Sequence, residues 1–450
     1  MRSPAANAES RLSLWLRVRE YAVPPSMIQT ATERRRVGDW AGACAAARVD
    51  VDLSLRAVTD RHGREVAARL RSDLRHLAPD LLRWHLPRVA PEGLLRPGLT
   101  VSLARYGPAG GAGAVHLVAR TPPSWADAGQ RISLAVWSGP GDDVRAHPHP
   151  RPDRRYRLDL HRHLWDARRA PELRTRSGAD RPADEAPAFG PTVPLRGYAV
   201  HRWPDEAARL LRTEDPAGRA VSVRLGPRRR LLLAADGTGG WTARPIRPGR
   251  VAEVPALPDA ATWTSPDLDL LRHGLIEAER LHPLVAAALA PESRPVPAVA
   301  GPPADPPGLV TCRGARHRIA LVDGVLTPLD HDPAEIRREE LLAALTGTPL
   351  PCLRAVDEAH RRPGSLPEIR ARLDHGDLAG AVATVEALLG PDALLRPGDL
   401  RTELETAALR RITHGLFRAG LAGHCPPPSA RDRRRTAPAR RSRPRHAHAR

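Results

Sequence analysis

The spacing of apolar residues changes along the chain, and each spacing predicts a different kind of element. Five apolar residues recur at intervals of three or four positions: Val66, Leu70, Leu74, Leu77 and Leu81. That period places them on one face of an α-helix. We therefore predict a helical unit over residues 26–90, preceded by an N-terminal extension over residues 1–25.

Beyond this unit the period becomes two. Apolar residues alternate with small or polar ones in three segments, at residues 99–104, 132–136 and 156–160. Alternation of this kind is typical of half-buried strands, and the short, turn-rich gaps favour an antiparallel sheet. Two further strands are expected near residues 219–225 and 229–235.

Helical signals then return. Ser265-Pro266-Asp267 has the residue types of a helix start, with a capping serine, a proline at the first position and an acid in the first turn. The helical pattern runs to about Leu289. We assign residues 91–290 to a sheet region with this helical return, in the same domain as residues 26–90.

A proline-rich segment, residues 291–308, predicts a semi-rigid linker to a second domain at residues 309–423. In that domain Asp323-Gly324 predicts a two-residue β-hairpin turn, and Asp332-Pro333-Ala334-Glu335 predicts a capping box at the start of a helix. Residues 424–450 are of low complexity and basic, which indicates a disordered tail. The fold class predicted is α+β, with N-terminal helices packed on an antiparallel sheet and a smaller C-terminal domain of a hairpin and helices.

One short sequence occurs twice. Residues 37–43 (VGDWAGA) and residues 375–381 (HGDLAGA) share the pattern G-D-x-A-G-A, each between two helical segments. The first glycine can end one helix and the aspartate can cap the next. The repeat is explained either by generic hairpin chemistry or by a duplicated recognition unit, although two copies are too few for a stacked array. On the second explanation Trp40 and Leu378 are the candidate partner-binding residues.

Composition excludes several mechanisms. All 70 basic residues are arginine, a bias typical of a GC-rich bacterial genome, and the formal net charge is +19. Without lysine, the usual P-loop, protein-kinase and Schiff-base mechanisms are unlikely, since each depends on a lysine amine. The chain has neither a signal-peptide pattern nor an apolar run of membrane-spanning length, so we expect a cytoplasmic protein without membrane association. Met27 is the only internal methionine, but residues 12–23 have the pattern of ordered structure, so we do not favour an alternative start there.

The four cysteines, Cys44, Cys312, Cys352 and Cys425, are far apart in the sequence. No C-x-x-C motif is present and no disulfide framework is implied, which agrees with a reducing compartment. We predict neither a cofactor nor a metal site from them, and Cys44 is expected to be a small buried apolar residue.

Histidines give the one metal candidate that the sequence suggests. Asp159, His161 and His163 alternate, so on a strand they would share one face and could bind zinc or iron. The alternative is a solvated strand face. Farther along, residues 357–360 spell the DEAH box of superfamily-2 helicases, but no apolar strand precedes it and no lysine completes the phosphate site, so we exclude that function.

No complete catalytic constellation is present, and whether the protein is an enzyme stays open. The leading hypothesis is a non-catalytic protein-interaction or regulatory module that uses its helical hairpins. The alternative is non-specific nucleic-acid binding through the basic tail. Its candidate residues are Arg433, Arg434, Arg435, Arg440 and Arg441. A third possibility is an enzyme whose site is assembled from distant residues.

Overall fold

A computed structural model describes residues 4–107, 114–139, 147–181, 197–226, 229–246, 254–292 and 308–421, with the side chains of residues 4–10 left out. The predicted α+β class is confirmed. We refer to described residues up to 292 as the N-terminal unit and to residues 308–421 as the C-terminal unit. No described helix is both long and apolar enough to cross a membrane.

The α-helices of the described residues are α1 Pro4–Tyr21, α2 Pro25–Arg36, α3 Trp40–Ala46, α4 Leu55–His62, α5 Arg64–His76, α6 Pro79–His85, α7 Leu173–Ser177, α8 Trp203–Glu214, α9 Asp259–Thr262, α10 Pro266–Arg272, α11 Pro283–Leu289, α12 Pro333–Thr346, α13 Pro351–Arg361, α14 Leu366–Asp374, α15 Leu378–Leu389 and α16 Asp399–Arg418. The strands are β1 Val49–Val51, β2 Arg88–Val89, β3 Leu94–Leu95, β4 Thr100–Tyr106, β5 Val115–Arg120, β6 Ile132–Trp137, β7 Ala220–Arg224, β8 Arg230–Ala235, β9 Trp241–Pro245, β10 Gly308–Cys312, β11 Ala315–Val322 and β12 Val325–Pro328.

The main sheet has the strand order β1-β6-β5-β4. The pairs β4–β5 and β5–β6 are antiparallel, as the alternating pattern predicts, whereas β1 pairs with β6 in parallel. Strand β1 was not predicted, because its three residues lie within the segment expected to be helical. The apolar residues of α5 and α6, including Leu70, Leu74 and Leu81, share one core cluster with those of the sheet.

The first segment of the chain contributes to the same core. Val18, Ala22 and Val23 at the end of α1 and just after it are buried in that cluster. Residues 12–23 therefore contribute side chains to the main core.

The strand predicted over residues 156–160 is wrong. This segment forms turns, and its one bridge joins Arg157 to Ser102 of β4. The backbone N–H of Asp159 donates to the carbonyl of Ser102, while the N–H groups of Leu160 and His161 bond within turns. Tyr156 and Leu158 are buried because the segment packs on the sheet. The alternating pattern here therefore reflects burial of alternate side chains, without the hydrogen-bond ladder of a strand.

A second sheet, β7-β8-β9, packs with α8 around a separate apolar cluster that contains Trp203 and Leu233. The two strands expected at residues 219–225 and 229–235 are present as β7 and β8, and β9 was not predicted. Helix α10 begins at Pro266 as expected, but Ser265 makes no side-chain capping bond. Asp267, expected to act through the helix dipole, is instead fully buried in an ion pair with Arg19.

The C-terminal unit has the order β10-β11-β12 followed by five helices. Asp323 and Gly324 both have positive φ, 50° and 77°, and join β11 to β12 in the predicted two-residue turn. The Asp332 side chain caps α12 by accepting from the N–H of Ala334. Strand β10 and its turn at Arg313-Gly314 were not predicted.

The two units contact each other. Arg48 and Arg83 both donate to the carbonyl of His375, in the turn between α14 and α15. In α16, the His414 ring bonds the carbonyl of Ala126, and Arg418 pairs with Asp52. The turn and α16 thus fix the C-terminal unit against the N-terminal unit by specific polar contacts.

Candidate functional site

The two G-D-x-A-G-A segments form closely similar helical turns. Gly38 and Gly376 have φ of 80° and 82°, and Asp39 and Asp377 cap the helices that follow. In each copy the aspartate also pairs with an arginine five residues earlier, Arg34 or Arg372. Local capping chemistry accounts for every one of these shared features.

The candidate partner-binding residues of these turns face inward. Trp40 is half-buried against the main core, and Leu378 is half-buried against the apolar cluster of the C-terminal unit. Neither side chain offers the large exposed surface that an interaction site requires.

The structure places Asp159, His161 and His163 in turns. Arg157 donates to both carboxylate oxygens of Asp159. Burial lowers the pKa of His161 to about 3 despite the nearby Glu206 carboxylate, and burial together with Arg176 lowers the pKa of His163. His161 and His163 stack edge to face with ring centroids 5.7 Å apart, so together they form a buried neutral pair.

Asp159 also lines an open cleft of about 230 Å³ beside Arg162, Arg176, Arg209 and Arg212. Arg162 and Arg176 are paired with acids, which offsets much of the positive charge of the cleft. Elsewhere, the DEAH-like residues lie in helix α13, where Asp357 pairs with Arg361 and Arg396. The tail residues Arg433, Arg434, Arg435, Arg440 and Arg441 lie outside the described residues.

The C-terminal unit exposes an unusual number of apolar side chains. No residue of the 14-residue helix α12 is buried, and Leu341, Leu342 and Leu345 are 69%, 50% and 86% exposed. We call these three residues the α12 face. Further large apolar side chains are exposed on or near the strands: Leu309, Leu321, Val322, Val325 and Leu329.

Salt bridges connect α12 to the hairpin beside it. Arg313, in the β10–β11 turn, pairs with Glu335 and Glu339 at 2.5 Å each. Glu335 was expected to complete a capping box with Asp332, but its carboxylate is directed to Arg313 and to the His331 ring, whose Nδ1 lies 3.5 Å away.

Close to the first turn of α12, two thiols and an imidazole come together. One ligand atom each from Cys312, His331 and Cys352 lies within 4.8 Å of the other two. Cys312 ends β10, His331 follows β12, and Cys352 lies in the first turn of α13. Three separate elements therefore direct soft or borderline donor atoms, of the kind that transition metals bind, to one point.

The surroundings of this cluster are largely dry. Cys312 and Cys352 are fully buried, and the His331 side chain is 4% exposed. Burial raises the pKa of the Cys352 thiol to about 11, and the Cys312 thiol, which is hydrogen-bonded to it, adds to the shift. The His317 ring stacks on the His331 ring with centroids 4.2 Å apart.

Sequence reasoning missed this cluster, because it searched for cysteines that are close in sequence. The two thiols are 40 positions apart, but both histidines lie between them, in the order Cys312, His317, His331, Cys352. The predicted hairpin turn at Asp323-Gly324 could have indicated that residues on either side of it meet.

No protein-family model matches the chain, and the comparisons found neither a curated protein nor a solved structure similar to it. Fold and side-chain geometry are therefore the basis for a functional proposal.

Proposed function

We propose that this protein is a non-catalytic protein-interaction or regulatory module, and that the α12 face binds a protein partner. The observation that carries the proposal is the exposure of Leu341, Leu342 and Leu345 on a helix with no buried residue. The surface proposed differs from the helical hairpins of the sequence hypothesis, because Trp40 and Leu378 face the cores.

Burial of its exposed leucines against a partner would stabilise helix α12. A 14-residue helix is near the length at which isolated helices are only marginally stable in water, and packing of an apolar face usually supplies the rest. Leu341 and Leu345 are four residues apart and project from one side of α12. Burying an exposed leucine contributes about 1.5–3 kcal/mol, so two such anchors can support specific binding.

The partner we propose is a protein with an apolar groove that receives α12. Helix-in-groove recognition uses anchors at this spacing. The exposed charges next to the leucines are of both signs, Arg337, Arg338 and Glu340. The phosphates of a nucleic-acid backbone would face the negatively charged Glu340 and apolar leucines there. A protein groove can complement charges of both signs and the leucines.

The test compares capture of host proteins by the full chain and by the Leu341→Glu/Leu345→Glu variant. We expect a discrete protein to be captured by the wild type, in a manner resistant to nuclease, and at least tenfold less by the variant. Leu394→Glu is the matched control, because Leu394 is 89% exposed in the same unit but lies outside α12. The same loss in the control, or no loss in the double variant, would contradict the proposal.

Two further measurements test whether a second copy of the chain or a nucleic acid is bound instead of a protein partner. If light scattering shows a dimer that the double variant abolishes, the α12 face binds a second copy of the chain and the partner proposal fails. If capture depends on residues 424–450 and is removed by nuclease, nucleic-acid association through the tail replaces it.

A further inference from the structure

The cluster near the start of α12 has the composition of a structural metal site. Cys312, His331 and Cys352 lie together where β10, the segment after β12 and the start of α13 meet, and the His317 ring of β11 stacks on that of His331. We propose that Cys312, His317, His331 and Cys352 bind one zinc ion as a closed Cys2His2 site. This inference goes beyond the proposed protein interaction and does not depend on it.

Two buried nitrogen atoms in the cluster lack a partner. Nε2 of His331 and Nδ1 of His317 are shielded from solvent and make no hydrogen bond within the part of the chain that the structure describes. A buried polar atom left without a partner costs about 1–3 kcal/mol. Other buried histidine nitrogens in this structure also lack a partner, but these two lie beside a pair of buried thiols. A metal ion bonded to both nitrogens removes that cost.

The donor atoms of three of the proposed ligands already lie near one another. Their donor atoms lie within 4.8 Å of one another, whereas ligands of a tetrahedral zinc ion at about 2.0–2.3 Å lie about 3.3–3.8 Å apart. Contraction by about 1 Å brings them to bonding distance. His317 lies outside this three-residue group, but its ring stacks on that of His331 and its Nδ1 is unpartnered, so we take it as the fourth ligand, with its ring turning towards the ion on binding.

The environment of His331 also fits a metal ligand. Its Nδ1 faces the Glu335 carboxylate at 3.5 Å, while its unpartnered Nε2 is the nitrogen available to the ion. A carboxylate behind a histidine commonly fixes the tautomer and orients the ring of a metal ligand. Arg313 in turn holds Glu335, so the metal site and α12 share a polar link.

Zinc matches the donors and the structural context. Two thiolates balance the charge of Zn²⁺, and the Cys2His2 set is a common structural zinc site. Few apolar residues of the three strands and α13 are buried apart from the two cysteines, namely Ile319, Pro328 and Val356. A small assembly with so little core gains stability from a bound metal. Four protein ligands leave no open position, so the role is structural.

The first experiment measures zinc in the full chain, purified without added metal and again after incubation with zinc and removal of the excess. We expect one zinc ion per chain, and loss of stoichiometric binding in Cys312→Ser, Cys352→Ser and His331→Asn. Cys44→Ser is the matched control, because Cys44 is also fully buried but lies in the N-terminal unit. No zinc in the incubated wild type, or equal zinc in Cys44→Ser and the ligand variants, would overturn the proposal.

A second measurement uses only the wild type, in case the ligand variants fold poorly. Alkylation of each cysteine, followed by mass spectrometry, is compared between zinc-loaded protein and protein treated with a chelator. Zinc should slow alkylation of Cys312 and Cys352 at least tenfold and leave Cys44 unchanged. Equal rates with and without zinc, or a Cys312–Cys352 disulfide in protein that takes up no metal, would refute the site.

Cobalt titration tests the ligand set itself. Cobalt bound by two thiolates and two imidazoles gives visible tetrahedral bands and sulfur charge-transfer bands. His317→Ala should weaken or shift these bands, and Glu335→Gln should lower the affinity about 10-fold while keeping the spectrum, because Glu335 acts through His331. Unchanged bands in His317→Ala would reject the fourth ligand. A wild-type chain that binds zinc but no partner would leave this inference intact and refute only the proposed interaction.

Discussion

Asp267 shows how a single buried charge is kept ionised in this fold. Arg19 donates to both of its carboxylate oxygens, and the Trp84 indole N–H donates to it as well. Burial by itself would raise the pKa of Asp267, but the charge and hydrogen bonds of Arg19, together with the nearby His85 ring, outweigh burial and lower the pKa to about 2. The pair joins α1 to α10 across 248 positions of sequence.

Because the pKa of Asp267 is lower in the folded protein than its ordinary 3.8, this stabilisation is complete above pH 4. It is lost as the pH falls towards 2, and it amounts to about 2 kcal/mol. We expect Asp267→Asn to reduce the free energy of unfolding by about 3–5 kcal/mol at neutral pH, since Arg19 is left buried without its counter-charge. Urea denaturation at several pH values measures both effects.

The exposed Asp60→Asn serves as the control and should leave the stability and its pH dependence unchanged. If Asp267→Asn is no less stable than this control, the buried pair does not stabilise the fold.

At the level of elements, the helical turn of residues 37–43 depends on a second glycine as well as the first. The Asp39 carboxylate accepts from the N–H of Gly42 and also pairs with Arg34. A Cβ atom at Gly42 would lie 2.1 Å from one carboxylate oxygen of Asp39, so a side chain at this position requires the Asp39 carboxylate to shift. Both copies of the G-D-x-A-G-A pattern thus act as a helix cap, as generic hairpin chemistry predicts.

The Asp39 cap is tested by comparing the stabilities of two variants in which a helical glycine is replaced by alanine. Gly415→Ala, in α16 with open space around the position, should stabilise the protein by about 0.5–1 kcal/mol through helix propensity. Gly42→Ala should be about 1 kcal/mol less stable than Gly415→Ala, because it displaces the Asp39 cap. The comparison is made by thermal or urea unfolding.

An Asp39→Ala background provides the control, since the extra cost of Gly42→Ala should vanish once the cap is gone. If Gly42→Ala and Gly415→Ala increase the stability of the wild-type protein equally, Asp39 contributes no cap.

Local signals in the sequence predicted the elements that depend on neighbouring residues. Asp323-Gly324 and Asp332 specify a turn and a cap within four positions, and both are found where expected. The strand predicted over residues 156–160 failed because burial of alternate side chains also arises when turns pack on a sheet. The cluster of Cys312, His331 and Cys352 depends on three elements meeting, which spacing in a single sequence does not encode.

At the scale of the whole molecule, a histidine-containing turn connects the two units. His375 is buried near Arg83 and Arg88 of the N-terminal unit and near Asp374 of its own turn. Burial lowers its pKa to about 4, although its bond to the Ala371 carbonyl opposes the shift. The ring is therefore neutral at pH 7, and docking of the turn favours the neutral form.

This contact should weaken on acidification. The pKa of His375 is below its ordinary 6.5 in the docked state, so the stabilisation is complete above pH 6.5 and is lost as the pH falls towards 4. The full loss is about 3 kcal/mol. We expect hydrogen exchange in residues 366–389, corrected for intrinsic rates, to show more opening at pH 5 than at pH 7.

His375→Gln should reduce this pH dependence and leave a remainder from His414, whose pKa burial also lowers. His62→Gln, on α4, is the control and should behave as the wild type. Identical pH dependence in the wild type and in His375→Gln would assign the acid sensitivity to other groups.

The bond from Arg83 to the carbonyl of His375 also has a consequence for synthesis of the chain. Arg83 is fully buried, and its guanidinium donates to the carbonyls of Ala22, Gln130 and His375. His375 is translated 292 residues after Arg83, which takes roughly 15–60 s at elongation rates of about 5–20 residues per second. During that interval water must solvate part of the guanidinium, so the N-terminal unit reaches its final dry packing only when the C-terminal unit has emerged from the ribosome.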